Sequence, residues 1–238
     1  MTKILVIHTS THEPKVSSSA ALTSHCVNYL ADLLEASGQP QPEIRFIDAA
    51  KLHIVENLGC YSNGKYQCAD PKAGKYRCWA HFLSQKDPDA YGGKDEMGKI
   101  YDGLWWADIV IFSTCNRWGS HTSVAQRVIE RMNTIENRSS VYHEPYPLLG
   151  KKLGIIVTGL HWETPRIGHN LLTSMRWFGF ATQPDETNVL AWQRTRDLYF
   201  EHPDSDTPYV IKWAESPVGQ AAIDRWARAV ATSKDTIV

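Results

Sequence analysis

The chain reads as an α/β protein: a doubly wound, five-stranded parallel sheet with helices on both faces, three layers in all. Two observations predict this. Short continuous apolar runs recur along the chain, as in strands buried on both faces of a parallel sheet. Between them lie segments with apolar residues at helical spacing, so strand and helix alternate, which favours parallel strands joined by crossovers. The length, 238 residues of which 42% are hydrophobic, allows one large core or two small domains. The alternation of strand and helix favours a single domain over 1–238.

The first strand is Lys3–His8, an apolar run closed by a histidine. A polar loop, Thr9–Ser17, leads into a helix whose Leu22, Cys26, Tyr29, Leu30 and Leu33 form one stripe. Gly38 and Pro40 end that helix. Glu43–Asp48 is the second strand. Residues 51–94 break the rhythm: Gly59, Gly64, Gly74, Gly92, Gly93, Pro71 and Pro88 punctuate a stretch without sustained periodicity, read as a long insertion. Asp95 is expected to cap a helix with Met97, Ile100, Tyr101, Leu104 and Trp105 on its buried face. The third strand lies at 109–113, and a helix runs from Thr122 to about Asn133. Pro145 and Pro147 mark a loop before the fourth strand, Lys152–Thr158. Pro165 suits the first turn of the next helix, which buries Ile167, Leu171, Met175 and Phe178 and stops at Gly179. The fifth strand is expected near Thr187–Ala191. Residues 199–215 read as a surface arm or loop. Ser216 and Pro217 open the last helix, with Val218, Ala222, Trp226 and Val230 facing inward.

Composition removes several classes of function. A formal charge of −1 leaves no footprint for nucleic acid or an acidic membrane. No apolar run approaches the roughly 20 residues of a membrane helix, and no signal-peptide pattern is visible. Five cysteines at scattered spacings read as reduced thiols, hence a cytoplasmic protein. Its partners are then small molecules or other chains. Some of the nine tryptophans belong to a binding surface or a subunit interface.

Three loops and one cysteine set could carry chemistry. The first loop holds Ser10, Lys15, Ser17, Ser18 and Ser19 just before a helix. Free amides and the helix dipole make such an end an anion site, so the loop reads as a phosphate cradle, or as plain helix capping. Neither a P-loop nor a Gly-x-Gly-x-x-Gly fingerprint is present. The second loop, Thr114, Cys115, Asn116, Arg117, Trp118 and Gly119, suits a flat aromatic cofactor with polar edges. Its alternatives are a connecting loop with Trp118 under a neighbouring subunit, or a nucleophilic Cys115. A phosphatase-type loop wants an arginine where this chain has His121. The third loop is Thr158-Gly159-Leu160-His161-Trp162, where Gly159 permits close backbone approach and His161 and Trp162 could flank a ring. Cys60, Cys68, Cys78 and His81 are enough ligands for zinc, but their spacing matches no common metal pattern, and no metal is assigned. With the strand order 2-1-3-4-5, the first three loops open at one edge, around the point where the order reverses.

Taken together, these residues resemble the NAD(P)H-dependent FMN reductase branch of the flavodoxin-like superfamily, over most of residues 1–190. Ser10, Ser17, Ser18 and Ser19 match the hydroxyls of that family's phosphate loop, with Lys15 where an arginine is common. Trp118-Gly119-Ser120 matches its Pro-x-Tyr-Trp/Phe-Gly-Ser loop, and Val128-Ile129-Glu130-Arg131 its helix end. Cys115 and Asn116 stand where Pro-Val is usual. The resemblance implies non-covalent FMN, its phosphate on Ser10–Ser19 and its ring along Thr114–Gly119, with Thr158–Trp162 closing the pyrimidine edge. NADPH or NADH would deliver a hydride, and a quinone or other small acceptor would take it on. His161, Trp162, Trp118 and Trp192 would shape the substrate side, and a homodimer or homotetramer would complete the site. Rival readings are a non-enzymatic electron carrier, a Cys115-dependent hydrolase, and a metal-binding or interaction module at 51–94.

Overall fold

Five parallel strands run in the spatial order β2-β1-β3-β4-β5: β1 is Lys3–His8, β2 Glu43–Asp48, β3 Ile109–Cys115, β4 Lys152–Leu160 and β5 Val189–Arg194. This computed structural model describes residues 1–12, 16–60, 64–160, 162–194 and 207–234. Side chains alternate across a strand, and that alternation divides the core. Ile4, Val6, Ile109, Ile111 and Ile156 pack beneath α1 (Ser18–Ala36), α6 (Thr207–Glu215) and α7 (Pro217–Thr232). Leu5, Ile7, Val110, Phe112, Ile155 and Val157 face α3 (Met97–Trp106), α4 (Ser123–Ser140) and α5 (Thr164–Arg176). The helices therefore cover both faces, and the chain changes direction across the sheet between β1 and β3.

Four expectations need correction. Residues 207–215 are helical rather than an arm: Val210 and Ala214 are buried in the α1-side core. Residues 199–206 of that segment lie outside the described residues. The insertion holds a short helix, α2 (Trp79–Lys86), too brief for its apolar period to stand out against the surrounding glycines. Asp95 is not a helix cap; Glu96 occupies that position. The Asp95 carboxylate instead accepts the Val55 amide at 2.8 Å and pairs with buried Arg131. Val218 is 72% exposed, because it sits in the first turn of α7, beyond the face that Ile223, Trp226 and Val230 bury.

The insertion is docked, not loose. Thr134 on α4 donates to the carbonyls of Tyr76 and Arg77, and Tyr76 stacks on Trp105 with centroids 5.6 Å apart. No helix among the described residues is long and apolar enough to cross a membrane.

Candidate flavin site at the carboxyl edge of the sheet

Where β1 and β3 deliver their carboxyl ends, a buried network of polar side chains begins. Thr9 donates from both its amide and its hydroxyl to the Ser113 carbonyl, at 3.0 and 2.9 Å. Thr122 donates to the Thr9 carbonyl at 2.9 Å and, as N-cap of α4, accepts from the Ala125 amide. This ties the start of α4 to the loop after β1. Ser17 is the N-cap of α1 and accepts from the Ala20 amide at 3.2 Å. Its hydroxyl also meets Ser10 at 3.4 Å and Ser19 at 2.9 Å, and Ser19 meets His8 Nε2 at 3.0 Å. The first amides of α1 have no partner within the helix, so this end combines hydroxyls, free N–H groups and the positive end of the dipole. Ser18, half-buried at the first helical position, takes no part in that chain of hydroxyls. Lys15 lies outside the described residues.

The loop after β3 is shorter than its sequence implies. Thr114 and Cys115 are strand residues, paired with Val157 and Thr158 of β4. Thr114 is wholly buried beside Thr122. Burial pushes the Cys115 thiol up, against smaller opposing effects of Arg117 and Ser10, so Cys115 is a poor nucleophile at neutral pH. The exposed part is a tight hairpin: Arg117 and Ser120 exchange backbone hydrogen bonds at 2.7 and 3.0 Å. Between them Trp118 and Gly119 both adopt left-handed backbone angles, φ 52° and 77°, as a primed turn requires. That turn lifts Trp118 out to 95% exposure.

Asn116 joins this hairpin to the third loop. Its amide donates to the Thr158 carbonyl at 2.8 Å, its Nδ2 to the Trp162 carbonyl at 2.5 Å, and its Oδ1 accepts from the Gly119 amide at 2.9 Å. Gly159 extends β4 by pairing with Gln193, so the strand continues past Thr158 to Leu160. A Cβ on Gly159 would lie 2.7 Å from the Asn116 Cβ and 2.6 Å from Thr164 Oγ1; only glycine lets the two loops close so tightly. Thr164 Oγ1 is buried with no hydrogen-bond partner among the described residues. Trp162, 47% exposed, lays its ring against Gly119. His161 lies outside the described residues. Trp192 is not on the substrate side: it is buried in the α1-side core.

The three loops therefore converge, as their sequence positions predict. His8, Thr122 and Thr164 join this candidate site as well and were missed. The polar ending of an apolar strand, Ile-His, was the available signal for the first. The zinc alternative fares differently. Cys60, Cys68 and Cys78 line one small recess with Arg131, but among the described residues no group of three or more His, Cys, Asp or Glu side chains is arranged to hold a metal ion.

An open α/β sheet with its polar crevice at the reversal point belongs to the class of proteins that hold a phosphorylated cofactor there. Comparison with known proteins gives the family. The family model for NADPH-dependent FMN reductase matches residues 2–193, and the chain belongs to that family. It is a flavin oxidoreductase, with FMN as cofactor and a reduced nicotinamide nucleotide as co-substrate. Among solved structures the chain is similar to RosB with bound 8-demethyl-8-formylriboflavin-5′-phosphate: 16% identity, 100% of this chain and 90% of that chain covered, TM-score 0.56. It is similar to the apo form of an NADH:FMN oxidoreductase, EMOB, at 16% identity, 98% and 92% coverage and TM-score 0.52. An oxidoreductase from Corynebacterium diphtheriae matches at 12% identity, 98% and 99% coverage and TM-score 0.54. These likenesses support the fold. No curated protein gives a match.

Proposed function

We propose that the protein passes a hydride from NADPH or NADH to FMN, and from there to a quinone or other small acceptor. The observation that carries this reading is the convergence of three loops at one edge of the sheet, the first tied to the second through Thr9 and Thr122 and the second to the third through Asn116. The residues present fit the flavin. Ser10 and Ser17, with the first amides of α1 and Lys15, would hold the phosphate. Asn116, Arg117, Trp118 and Gly119 would flank the ring, above the buried Thr114 and Cys115. Gly159 and the unpartnered hydroxyl of Thr164 would meet its pyrimidine edge, and Thr158 would hold the floor through its carbonyl bond to Asn116. Bound there, the flavin supplies the two-electron chemistry. The protein's part is to orient it, exclude water from one face and present N–H donors toward developing negative charge.

Trp162 lies against Gly119, and together with His161 it would shape the nicotinamide and acceptor side. An exposed Trp118 on a rigid turn suits burial against a second subunit, which supports a homodimer or homotetramer. The described cysteines are all free thiols, in keeping with a reducing cytoplasm.

The test is direct. Purified protein is expected to be yellow, or to take up FMN, and to oxidise NADPH or NADH with a quinone present. A folded protein that binds no added FMN overturns the reading. FMN binding without steady-state NAD(P)H oxidation would instead make it an electron carrier.

A further inference from the structure

A second chemistry-bearing cluster lies where the insertion docks, about two and a half turns along α4 from Thr122. Cys60, Cys68 and Cys78 are well separated along the chain, yet they line one recess of about 20 Å³, together with Arg131 and Asn133 of α4. All three are partly exposed. Arg131 Nη2 donates to Cys78 Sγ at 3.3 Å, and Asn133 Nδ2 to Cys68 Sγ at 3.9 Å. Cys78 is also the N-cap of α2, with no cap bond from its side chain, which places it at the positive end of that helix. The other two thiols feel it. Burial raises Cys60 and pushes Cys68 up to about 12, and charge on Cys78 adds to both effects. Cys26 and Cys115 are apart from this cluster, buried in α1 and in β3.

Reactive cysteines occupy electropositive, partly exposed surroundings, and Cys78 meets that description, between a guanidinium and a helix N-terminus. A recess of this volume admits one water-sized molecule, and hydrogen peroxide is little larger. We propose that Cys78 is a redox modification site: hydrogen peroxide oxidises it to a sulfenic acid, and Cys60 or Cys68 then closes a disulfide onto it. In the first step the Cys78 sulfur gives up its proton and attacks one peroxide oxygen. An S–O bond forms, the O–O bond breaks, and the released hydroxide takes the proton as water. In the second the Cys60 or Cys68 sulfur attacks Cys78. An S–S bond forms, the S–O bond breaks, and a second water leaves with that thiol's proton. Two thiols lose two electrons, and one peroxide becomes two waters. A thiol reductant reverses the change, as for the transient, redox-sensing disulfides of reducing compartments.

Hydrogen peroxide added to the reduced full-length protein tests the cluster whether or not flavin binds. Thiols counted in denaturant after peroxide removal are expected to fall by two from the five of the reduced chain. Peptide mapping without reductant should join Cys78 to Cys60 or Cys68, and dithiothreitol should restore every thiol. With limiting iodoacetamide and no peroxide, Cys78 should alkylate at least about tenfold faster than Cys60 or Cys68. These measurements need no variant. Cys78→Ser should keep all its remaining thiols at the same peroxide dose, and the double variant Cys60→Ser, Cys68→Ser should hold Cys78 as a sulfenic acid that dimedone traps. An unchanged thiol count in the wild-type chain, a bond between Cys60 and Cys68, or equal alkylation of the three thiols overturns the proposal. So does oxidation of Cys26 or Cys115 ahead of Cys78, or loss of two thiols in Cys78→Ser.

Discussion

Asn116 reaches three segments through hydrogen bonds: Gly119 in its own hairpin, Thr158 on the neighbouring strand β4, and Trp162 in the loop beyond it. A typical intramolecular hydrogen bond contributes about 1 kcal/mol net. Asn116→Ala removes the two made by its side chain and frees the Trp162 loop from the Trp118 turn. We expect FMN affinity to fall about tenfold, with a loss of roughly 1–3 kcal/mol in stability; flavin titration and urea unfolding measure the two separately. Cys115 is the opposite case. Its thiol is 7% exposed and pushed up by burial, so it packs beneath the site without reacting. Cys115→Ser is expected to stay folded, bind flavin and oxidise NADPH. Loss of turnover with flavin still bound would restore the thiol as a reacting group and revive the hydrolase alternative.

At the scale of elements, α4 is the hinge between the site and the insertion. Its N-terminus is fixed to the loop after β1 through Thr122. Further along, Arg131 makes a bidentate pair with Asp95, both bonds 2.9 Å, and donates to the Val55 carbonyl. Both charges are buried. Burial works against the Asp95 carboxylate, but hydrogen bonds from His81 and Arg131, together with the guanidinium charge, bring it down to about 2. A carboxyl depressed in the folded state stabilises above its unfolded value, near 4, and that stabilisation is lost as pH falls toward 2. Urea unfolding at a series of pH values is expected to show the loss between about pH 4 and 2. Asp95→Asn should flatten this acid limb. It should also cost about 3–5 kcal/mol at pH 7, because Arg131 is left buried without its counter-charge. An unchanged acid limb in that variant would remove Asp95 from the account.

At the scale of the whole molecule, the site joins segments far apart in the chain, and its ligand should report on the entire fold. At 100 times its dissociation constant, a ligand that binds only the folded state adds about 2.7 kcal/mol. For a chain of this size that corresponds to roughly 5–11 °C in Tm, readable in a thermal melt with and without FMN. No shift at saturating FMN would mean that the crevice is not the binding site.

The sheet was legible in the residues because burial on both faces writes itself locally: each apolar run stands between polar breaks, and the helices between carry their own periodicity. The serines at the start of α1 and Gly159 were legible for the same reason, since a helix start and a close approach each need particular residue types. What side chains meet across long separations carries no such local mark. The Thr9–Ser113 bonds, the Asn116 tie to Trp162, the placement of Thr114 and Cys115 inside a strand and the Asp95–Arg131 pair all depend on register and packing. By itself the sequence determined the class of fold, the polar loops and the edge they share. Only the tertiary structure decided which hydroxyls, amides and charges meet there, because those contacts arise from how strands and helices pack and not from the spacing of residues along the chain.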